Sequence, residues 1–431
     1  GWYSDSGLTT TFAFTTAITA DTTLYAKWDD TTPPAFTSTS PATGSIINTT
    51  AAGYTLSEAV ASGSITFTRT GGSADSTVHT YTFVSADMTA GSHSINTGLA
   101  LVSGASYTIA FDATDLAGNP GSLSKTNVTY DTTSASATIS SPASGSIVNN
   151  ANVGYTLSEA VSSGNIVFTA TGGNADAGSP HTYTLVGGEL AAGTHSVATG
   201  MTLVDGTIYT VSIESVFDPA GNATGTVSNT NVTYDSTSVA ITNTAPAAST
   251  VINTATVGYT LSEQAQSGNV RFTHTGGNAD AGSPHTYTLN GADLYSGVHT
   301  LDTGLGLVDG AIYTVSFDAT DMAGNAATTV SNATVLFDNI HDITVTITGN
   351  GAVTPSGATG VSHGETRTFT ATPDPGYHIV SISGCGGNLS GNTFTTGAIT
   401  ADCTVTPNFA IDTFTVTLSA GANGAISPAT A

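Results

Sequence analysis

Three short acidic turns carry the residues in this sequence that are best suited to bind a ligand. Segment 111–119 reads Phe-Asp-Ala-Thr-Asp-Leu-Ala-Gly-Asn, and it returns with one change at 317–325 and in altered form at 214–222. The glycines of the three Ala-Gly-Asn turns are spaced by 103 residues: Gly118, Gly221 and Gly324. Clustered carboxylate and amide oxygens are the hard donors of which Ca²⁺ takes roughly six to eight. The alternative is a plain turn, in which Gly adopts a positive φ and Asp or Asn binds the backbone.

The elements that must position these turns are strands. Residues 135–238 contain seven runs in which apolar residues tend to alternate with polar ones, as at Val153, Tyr155 and Leu157. The predicted strands are Ala137–Ile139, Val153–Leu157, Asn165–Thr169, His181–Val186, His195–Leu203, Ile208–Ile213 and Asn229–Tyr234. Seven short strands in roughly 100 residues, separated by Gly-rich turns, indicate an immunoglobulin-like sandwich. A repeat period of 103 residues indicates copies of a whole small domain rather than the short units of a solenoid.

The sequence therefore predicts an all-β chain of tandem immunoglobulin-like β-sandwiches, followed by a small β domain, with partial β domains at both ends. The predicted domains are 1–30, three Ig-like repeats at 31–134, 135–238 and 239–340, a small β domain at 341–411, and the start of a further domain at 412–431. Because the terminal domains look interrupted, we expect the chain to be a segment of a longer protein.

This topology predicts that acidic side chains from three segments meet at each module junction. The loops after the second and sixth strands of such a sandwich lie at the end where the chain enters, and the preceding linker arrives there too. Like charges placed so close repel by about 1 kcal/mol or more per pair unless a cation intervenes. The predicted calcium ligands are Asp30, Glu58, Asp112, Asp115, Asn119, Asp131, Glu159, Asp218, Asn222, Asp235, Glu263, Asp318, Asp321 and Asn325. The middle repeat is the weaker candidate, because Ser215 replaces the residue equivalent to Asp112 and Asp318.

Composition restricts the partners of the chain. The sequence has 30 Asp and Glu against 5 Lys and Arg, a formal net charge of −25. Contacts to nucleic-acid phosphates or to anionic membrane surfaces need basic residues, so neither partner is expected. No apolar run of about 18 residues is present, so direct insertion into a bilayer is not expected either. Other copies of the chain, further domains of the same chain, and a host or surface glycan or protein remain as candidate partners.

The two cysteines, Cys385 and Cys403, predict a local disulfide and an oxidising compartment. Two buried free thiols are the alternative. No catalytic residues are predicted. The histidines at 79, 181 and 285 and at 93, 195 and 299 recur because the modules recur, and triplicated catalytic sites are rare. The Gly-Gly-Asn-Ala-Asp-Ala-Gly-Ser-Pro-His segments that begin at Gly172 and Gly276 are interpreted as hairpin loops.

Several motifs resemble those of bacterial surface proteins. The Asp-x-Ala-Gly-Asn turns and the Tyr-Asp-Thr/Ser-Thr linkers at 130–133 and 234–237 resemble the bacterial Ig-like domains of large surface adhesins. That resemblance implies that calcium at or near the junctions stiffens a rod. Residues 1–30, with Gly-Trp-Tyr at the start and Leu-Tyr-Ala-Lys-Trp at 24–28, resemble the end of a Listeria–Bacteroides repeat, the B-repeat of internalin-type proteins.

The segment 341–411 resembles a divergent B-repeat through Gly364-Glu365-Thr366, 371–376 and 399–402, although Ile382 replaces the family's usual Trp. Taken together, these features predict a non-catalytic structural or adhesive segment of a bacterial extracellular or cell-surface protein. Two alternatives stay open at this point. One is a filament subunit assembled by strand exchange or lateral packing. The other is a set of accessory domains attached to a secreted hydrolase.

Overall fold

The computed structural model describes residues 1–425, in which the regular elements are β-strands and three single-turn 3-10 helices. Residues 426–431 of the predicted final domain lie outside this range. The chain divides into two compact units, one comprising Gly1–Asp235 and one beginning at Ser236. None of the helices among the described residues is long and apolar enough to cross a membrane.

The middle repeat is a two-sheet sandwich with the strand order of an immunoglobulin-like domain. Strands A, B and E form the first sheet, in the order A-B-E: Ala137–Ser141, Asn152–Leu157 and Gly193–Ala198. The second sheet has the order A′-G-F-C-C′: Ile147–Val148, Val227–Tyr234, Thr207–Phe217, Ser163–Gly173 and His181–Thr184. A 3-10 helix at Gly187–Leu190 connects the two sheets between strands C′ and E. The predicted fold class is confirmed.

Repeats 1 and 3 have the same order in their sheets. In repeat 1, strands A, A′, B, C, C′, E, F and G are Phe36–Ser40, Ile46–Ile47, Ala51–Leu56, Val60–Gly72, His79–Thr82, Gly91–Asn96, Ala105–Asp115 and Pro120–Tyr130, with a 3-10 helix at Ser85–Met88. In repeat 3 they are Ile241–Ala245, Val251–Ile252, Thr256–Leu261, Ala265–Gly277, His285–Thr288, Gly297–Asp302, Ala311–Asp321 and Val330–Phe337, with a 3-10 helix at Gly291–Leu294.

Alternation of side chains explains why these segments become strands with one buried face. In strand F of the middle repeat, Tyr209, Val211 and Ile213 are buried, as are Tyr155 and Leu157 of strand B in the facing sheet. Each buried aliphatic or aromatic side chain contributes roughly 1.5–3 kcal/mol relative to an exposed one. This apolar core holds the two sheets together without an intersheet disulfide.

The predicted strands of the middle repeat are all present, with three main differences, of which one is that strand C′ ends at Thr184 rather than at Val186. The sequence missed strand A′, because its two residues, Ile147 and Val148, are too few to show a period. It also extended strand E to Leu203, whereas the strand ends at Ala198. Gly200 has a φ of 66°, which turns the chain away from the sheet.

The small β domain packs two four-stranded sheets around its own core. The first sheet has the order Thr359–Ser362, Ile340–Val345, Cys403–Ile411 and Tyr377–Ser383; the second has the order Gly351–Thr354, Thr368–Pro373, Thr393–Thr395 and Asn388–Ser390. Ile343, Phe369, Phe394 and Val405 are fully buried between them. The predicted disulfide between Cys385 and Cys403 is present, with the two Cα atoms 5.5 Å apart.

The two ends of the chain contain little regular structure. Near the start, Trp2–Tyr3 pairs with Tyr25–Ala26 as a two-stranded ribbon. Residues 412–425 contain no strand, and Phe414 and Val416 are exposed. A strand needs a neighbour for its backbone N–H and C=O groups, and in the described residues this segment has none.

We predict that reduction of the disulfide destabilises the small β domain and leaves the three repeats unaffected. A cross-link that closes a loop of this length contributes about 3 kcal/mol in the chain-entropy model. The repeats contain no cysteine, so they serve as an internal control. Urea unfolding with and without a phosphine reductant, followed residue by residue in NMR spectra, measures both. An equal loss of stability in the repeats and the small domain contradicts this prediction.

Candidate functional site

The acidic turn between strands F and G is closed by its own first residue. Asp115 is 2% exposed, and its Oδ1 accepts hydrogen bonds from the backbone N–H of Ala117 and of Asn119, both at 2.8 Å. The Asn119 Nδ2 donates to Asp115 Oδ2 at 2.7 Å, and Gly118 has a φ of 97°. The turn thus has the plain structural role that the sequence allowed as an alternative.

The equivalent turns of repeats 2 and 3 repeat this arrangement. Asp218 Oδ1 accepts from the N–H of Asn222 at 2.9 Å, and Asp218 Oδ2 accepts from Asn222 Nδ2 at 2.8 Å. Asp321 accepts from the N–H of Asn325 at 2.8 Å and from Asn325 Nδ2 at 2.9 Å. In repeat 1, burial raises the pKa of Asp115, but the bonds from Asn119, Ala117 and Gly118 outweigh burial, so the net shift is downward. The carboxylate is therefore charged at neutral pH.

In repeats 1 and 2, the asparagine of the turn also ties the module to the linker before it. Asn119 Nδ2 donates to the carbonyl oxygen of Asp30 at 3.0 Å, and Asn222 Nδ2 donates to that of Asp131 at 3.0 Å. At the second junction, Asn48 of repeat 1 also donates through Nδ2 to Asn222 Oδ1 at 3.2 Å. These amides act as hydrogen-bond bridges between modules, a role that the calcium prediction did not include.

Three carboxylates meet at the junction that precedes repeat 1. Asp30 of the linker, Glu58 after strand B and Asp115 after strand F each offer an oxygen within 4.8 Å of the others. Partial burial of Glu58 and the negative charges of Asp30 and Asp115 raise the pKa of the Glu58 carboxyl. The structure therefore brings together three of the residues that the sequence predicted to converge.

At the junction before repeat 2, Asp131, Glu159 and Asp218 interact electrostatically, but they do not offer three oxygens within 4.8 Å of one another as the first group does. Burial, then the charges of Asp131 and Asp218, raise the pKa of Glu159. In repeat 3, Glu263 follows strand B and the fully buried Asp321 ends strand F. Asp235 is the last residue of the first unit, where its N–H donates to Val148 O at 2.9 Å.

Asp112 and Asp318 lie away from these clusters. Each lies three positions before the buried Asp of the turn on an extended strand, so its side chain points to the opposite face of the sheet. Asp112 is exposed, and Asp318 Oδ1 accepts from Asn269 Nδ2 at 3.0 Å. Ser215, with a φ of 53°, occupies the same position in repeat 2. Having Ser at position 215 therefore removes no carboxylate from the junction before the middle repeat.

The structure adds a polar triad that the sequence did not predict. In repeat 1, Tyr107 of strand F donates to Asp75 Oδ2 at 2.6 Å, and His79 Nε2 lies 2.9 Å from the same oxygen. The Tyr107 hydroxyl also accepts from the N–H of Val102 at 3.0 Å. The triad fixes the loop between strands C and C′ to strand F. Its only sequence signal is the recurrence of Asp, His and Tyr in every repeat.

Repeats 2 and 3 have the same triad, composed of Asp176, His181 and Tyr209, and of Asp280, His285 and Tyr313. The other recurring histidines are structural as well. His93 Nε2 is 2.8 Å from the carbonyl oxygen of Thr89, and the His93 ring packs on Tyr54 with centroids 5.0 Å apart. These contacts give the recurring histidines a structural role within each module.

Comparison with known proteins supports the prediction for the small β domain. Residues 341–413 match the family model of the divergent InlB B-repeat domain. The B-repeat resemblance of residues 1–30 stays a prediction. No curated protein matches the chain.

The chain is similar in fold to tandem modules in several solved structures. The match to the FN1-FN3 domains of chicken CNTN1 includes 98% of that structure and 70% of this chain. The sequence identity is 13% and the TM-score is 0.30. The chain covers 94% of a structure from a 1.5-MDa bacterial ice-binding adhesin over 68% of its length, at 18% identity and a TM-score of 0.26. It covers 94% of the fibronectin(III)-like modules of Clostridium thermocellum CbhA over 47% of its length, at 14% identity and a TM-score of 0.26. Because these TM-scores are low, the fold assignment rests on the strand order of the three sandwiches.

We predict that Asn222→Ala loosens the junction between repeats 1 and 2. The substitution removes the bonds to Asp131, Asp218 and Asn48, and a net loss of about 1 kcal/mol per bond speeds local opening several-fold or more. Hydrogen exchange of the amides at 131–136 measures this opening. Asn150→Ala, at an exposed position in the same repeat, is the matched control. Unchanged protection of the linker in the first variant contradicts a bridging role.

We predict that acid destabilises the repeats through the triad carboxylates. The bond from Tyr107, with those from Thr77 and His79, lowers the pKa of Asp75 to about 2, and the pKa of Asp280 is about 2 for similar reasons, with the bond from Tyr313 first. An unfolded Asp has a pKa of about 3.9. The stabilisation is therefore present above about pH 4 and is lost as the pH falls towards 2.

Urea midpoints between about pH 2 and pH 6 check this prediction of a triad-dependent acid loss. The triple variant Asp75→Asn, Asp176→Asn, Asp280→Asn should show a flatter pH dependence than the unmodified chain. Asp302→Asn, which removes an exposed carboxylate of repeat 3, is the control and should keep the original slope. If the triple variant loses stability in acid as steeply as the unmodified chain, other groups cause the loss.

Proposed function

We propose that this chain is a non-catalytic structural and adhesive segment of a large bacterial extracellular or surface protein, and that calcium at its module junctions holds successive sandwiches in fixed orientation. The observation that carries the proposal is the group formed by Asp30, Glu58 and Asp115, whose oxygens lie within 4.8 Å of one another. One of these residues belongs to the linker and two to the sandwich. An ion held between them joins the two parts directly.

The electrostatics of the group favour a divalent cation. Two unit charges at this separation repel by about 1 kcal/mol in water and by about 3 kcal/mol at an effective dielectric constant near 20. Glu58 already responds to this repulsion, because the charges of Asp30 and Asp115 help to raise its pKa. A bound Ca²⁺ replaces repulsion with attraction, and carboxylate oxygens are its preferred ligands. Water molecules complete its coordination shell.

The same ion would act mechanically. Without the ion, individual hydrogen bonds connect the linker to the sandwich. One of them is the bond from Asn119 Nδ2 to the Asp30 carbonyl oxygen. With the ion, the Asp30 side chain becomes a further anchor, and the hinge loses rotational freedom. A spacer or adhesive stalk needs this resistance to bending, whereas an isolated binding domain does not.

Three further features support an extracellular structural role. The Cys385–Cys403 disulfide fits an oxidising compartment. The divergent B-repeat match at 341–413 belongs to a bacterial repeat family. The recurring histidines are bonded within the modules, as described for His79 and His93, so they do not form a catalytic site. Assembly by strand exchange, attachment to a secreted hydrolase and contact with a glycan stay predictions of the sequence.

The test is calcium binding by the whole chain and by two charge variants. Isothermal titration should detect Ca²⁺ with a dissociation constant of about 10⁻⁴–10⁻³ M, the range of extracellular modules. Glu58→Gln and Glu159→Gln should each weaken one junction site about tenfold or more. Glu365→Gln, at an exposed position in the small β domain, makes the same change of charge and should have no effect.

A mechanical readout accompanies the titration. Calcium at ten times its dissociation constant should stabilise the folded junction by about 1.4 kcal/mol and slow exchange of the linker amides to match. Small-angle scattering should show a narrower distribution of lengths with calcium than with a chelator. No calcium binding below about 5 mM would refute the calcium proposal, as would unchanged affinity in both glutamine variants.

A further inference from the structure

Two histidines meet at the edge of the small β domain, away from the carboxylate junctions. His341 lies on the strand Ile340–Val345, and His363 follows the strand Thr359–Ser362. His341 is paired with Val361, while the N–H of His363 donates to the carbonyl oxygen of Asn339 at 2.8 Å. The two rings are therefore diagonal neighbours on one face of the ribbon. His341 is 7% exposed and lines a cleft that opens to solvent.

The ring nitrogens of the pair point at each other. His341 Nε2 lies 2.9 Å from His363 Nδ1, so without an ion one nitrogen donates a hydrogen bond to the other. The second nitrogen of His341, Nδ1, lies 3.8 Å from a carboxylate oxygen of Asp338. Asp402 also lines the cleft, which has a volume of about 520 Å³. Asp402 is fixed by the N–H of Asp342, which donates to its Oδ1 at 2.8 Å.

We propose that His341 Nε2 and His363 Nδ1 bind a divalent transition metal of the Zn²⁺ or Cu²⁺ class. Two nitrogens bound at about 2.0–2.1 Å to one ion are about 2.9 Å apart at a right angle and about 3.3 Å apart in a tetrahedron. The separation in the protein fits the first value and is close to the second. To bind one ion, the two rings must rotate from their present hydrogen-bonded arrangement so that both lone pairs face a common point.

The surrounding carboxylates fit a metal site in their positions and charge. Metal-bound histidines commonly direct their other ring nitrogen at a carboxylate, which fixes the ring and strengthens the ligand. Asp338 stands in that relation to His341. Asp338 and Asp402 also make the cleft negative, and the open side of the cleft leaves room for water or an outside ligand to complete the coordination. Imidazole ligands select zinc, copper and nickel over calcium, so this site differs in chemistry from the carboxylate junctions.

The location gives the metal a structural effect. The chain enters the small domain at Asn339 and Ile340, whose N–H groups donate to Asp309 Oδ1 of repeat 3 at 2.7 and 3.0 Å. A metal on His341 and His363 links the start of the strand Ile340–Val345 to the end of the neighbouring strand Thr359–Ser362. It therefore stabilises the place where repeat 3 joins the small domain, independently of the proposed calcium sites.

The test is titration of the intact oxidised chain with zinc chloride in excess calcium, which occupies the carboxylate groups. We expect one zinc site tighter than about 100 µM and a loss of affinity of tenfold or more in His363→Gln. Copper(II) should give an electron paramagnetic resonance spectrum with hyperfine coupling to two nitrogens, and one nitrogen should be lost in the same variant. His378→Gln, at an exposed position beside Asp412 in the same domain, is the matched control and should bind zinc as the unmodified chain does.

His341→Gln alters a buried position, so its circular dichroism and thermal unfolding are measured first, and His363→Gln decides the result where it does not fold. The proposal is overturned if the unmodified chain binds zinc no more tightly than 100 µM, or if His363→Gln keeps its affinity and both nitrogens. An equal loss in His378→Gln also overturns it. Because the comparison of His363→Gln with His378→Gln decides the result, it stands whether or not the junction sites bind calcium.

Discussion

The structure of each repeat depends on one buried carboxylate at the end of strand F. Asp115, Asp218 and Asp321 are 2%, 1% and 0% exposed, and a buried charge is tolerated only where hydrogen bonds satisfy it. The turn provides these bonds from its own backbone and from the Asn that ends it. In repeats 1 and 2, that Asn also binds the linker carbonyl of the preceding module. The hydrogen bonds that stabilise this buried Asp therefore also close the turn. In repeats 1 and 2, the Asn that donates one of them connects two modules as well.

Hydrogen-bonded carboxylates recur along the chain because it has very few cationic side chains. With five Lys and Arg for thirty Asp and Glu, most carboxylates have no basic partner to pair with. Among the described residues, the ion pairs involve His, except for that between Lys27 and Asp29. Backbone N–H groups, Asn amides and Tyr hydroxyls bind the carboxylates instead. Around Glu58, burial and the charges of Asp30 and Asp115 raise the pKa of the carboxyl.

The repeats and the small domain solve the problem of a modest core in different ways. Each sandwich relies on buried aromatic residues, with Tyr54, Tyr155 and Tyr259 at one shared position, and on the polar triad that fixes its C–C′ loop. The small domain has fewer buried residues and adds a disulfide that joins its strand at Cys403 to Cys385. The pair of His341 and His363 connects a second part of that domain. The two kinds of module therefore carry different chemistry along one chain.

The sequence alone predicted seven of the eight strands of the middle repeat, the three-fold repetition and the disulfide, because these follow from local alternation, from spacing and from having two cysteines. It also identified Glu58 and Asp115 as neighbours, because the sandwich topology brings the ends of strands B and F together. Only the tertiary structure separated Asp112 from Asp115, because it shows that strand F continues to Asp115, which places residues three positions apart on opposite faces. Asp75 and Tyr107 are 32 residues apart, and His341 and His363 are 22 apart. Contacts over such separations are set by the pairing of strands and the packing of loops, which no local pattern in the chain encodes.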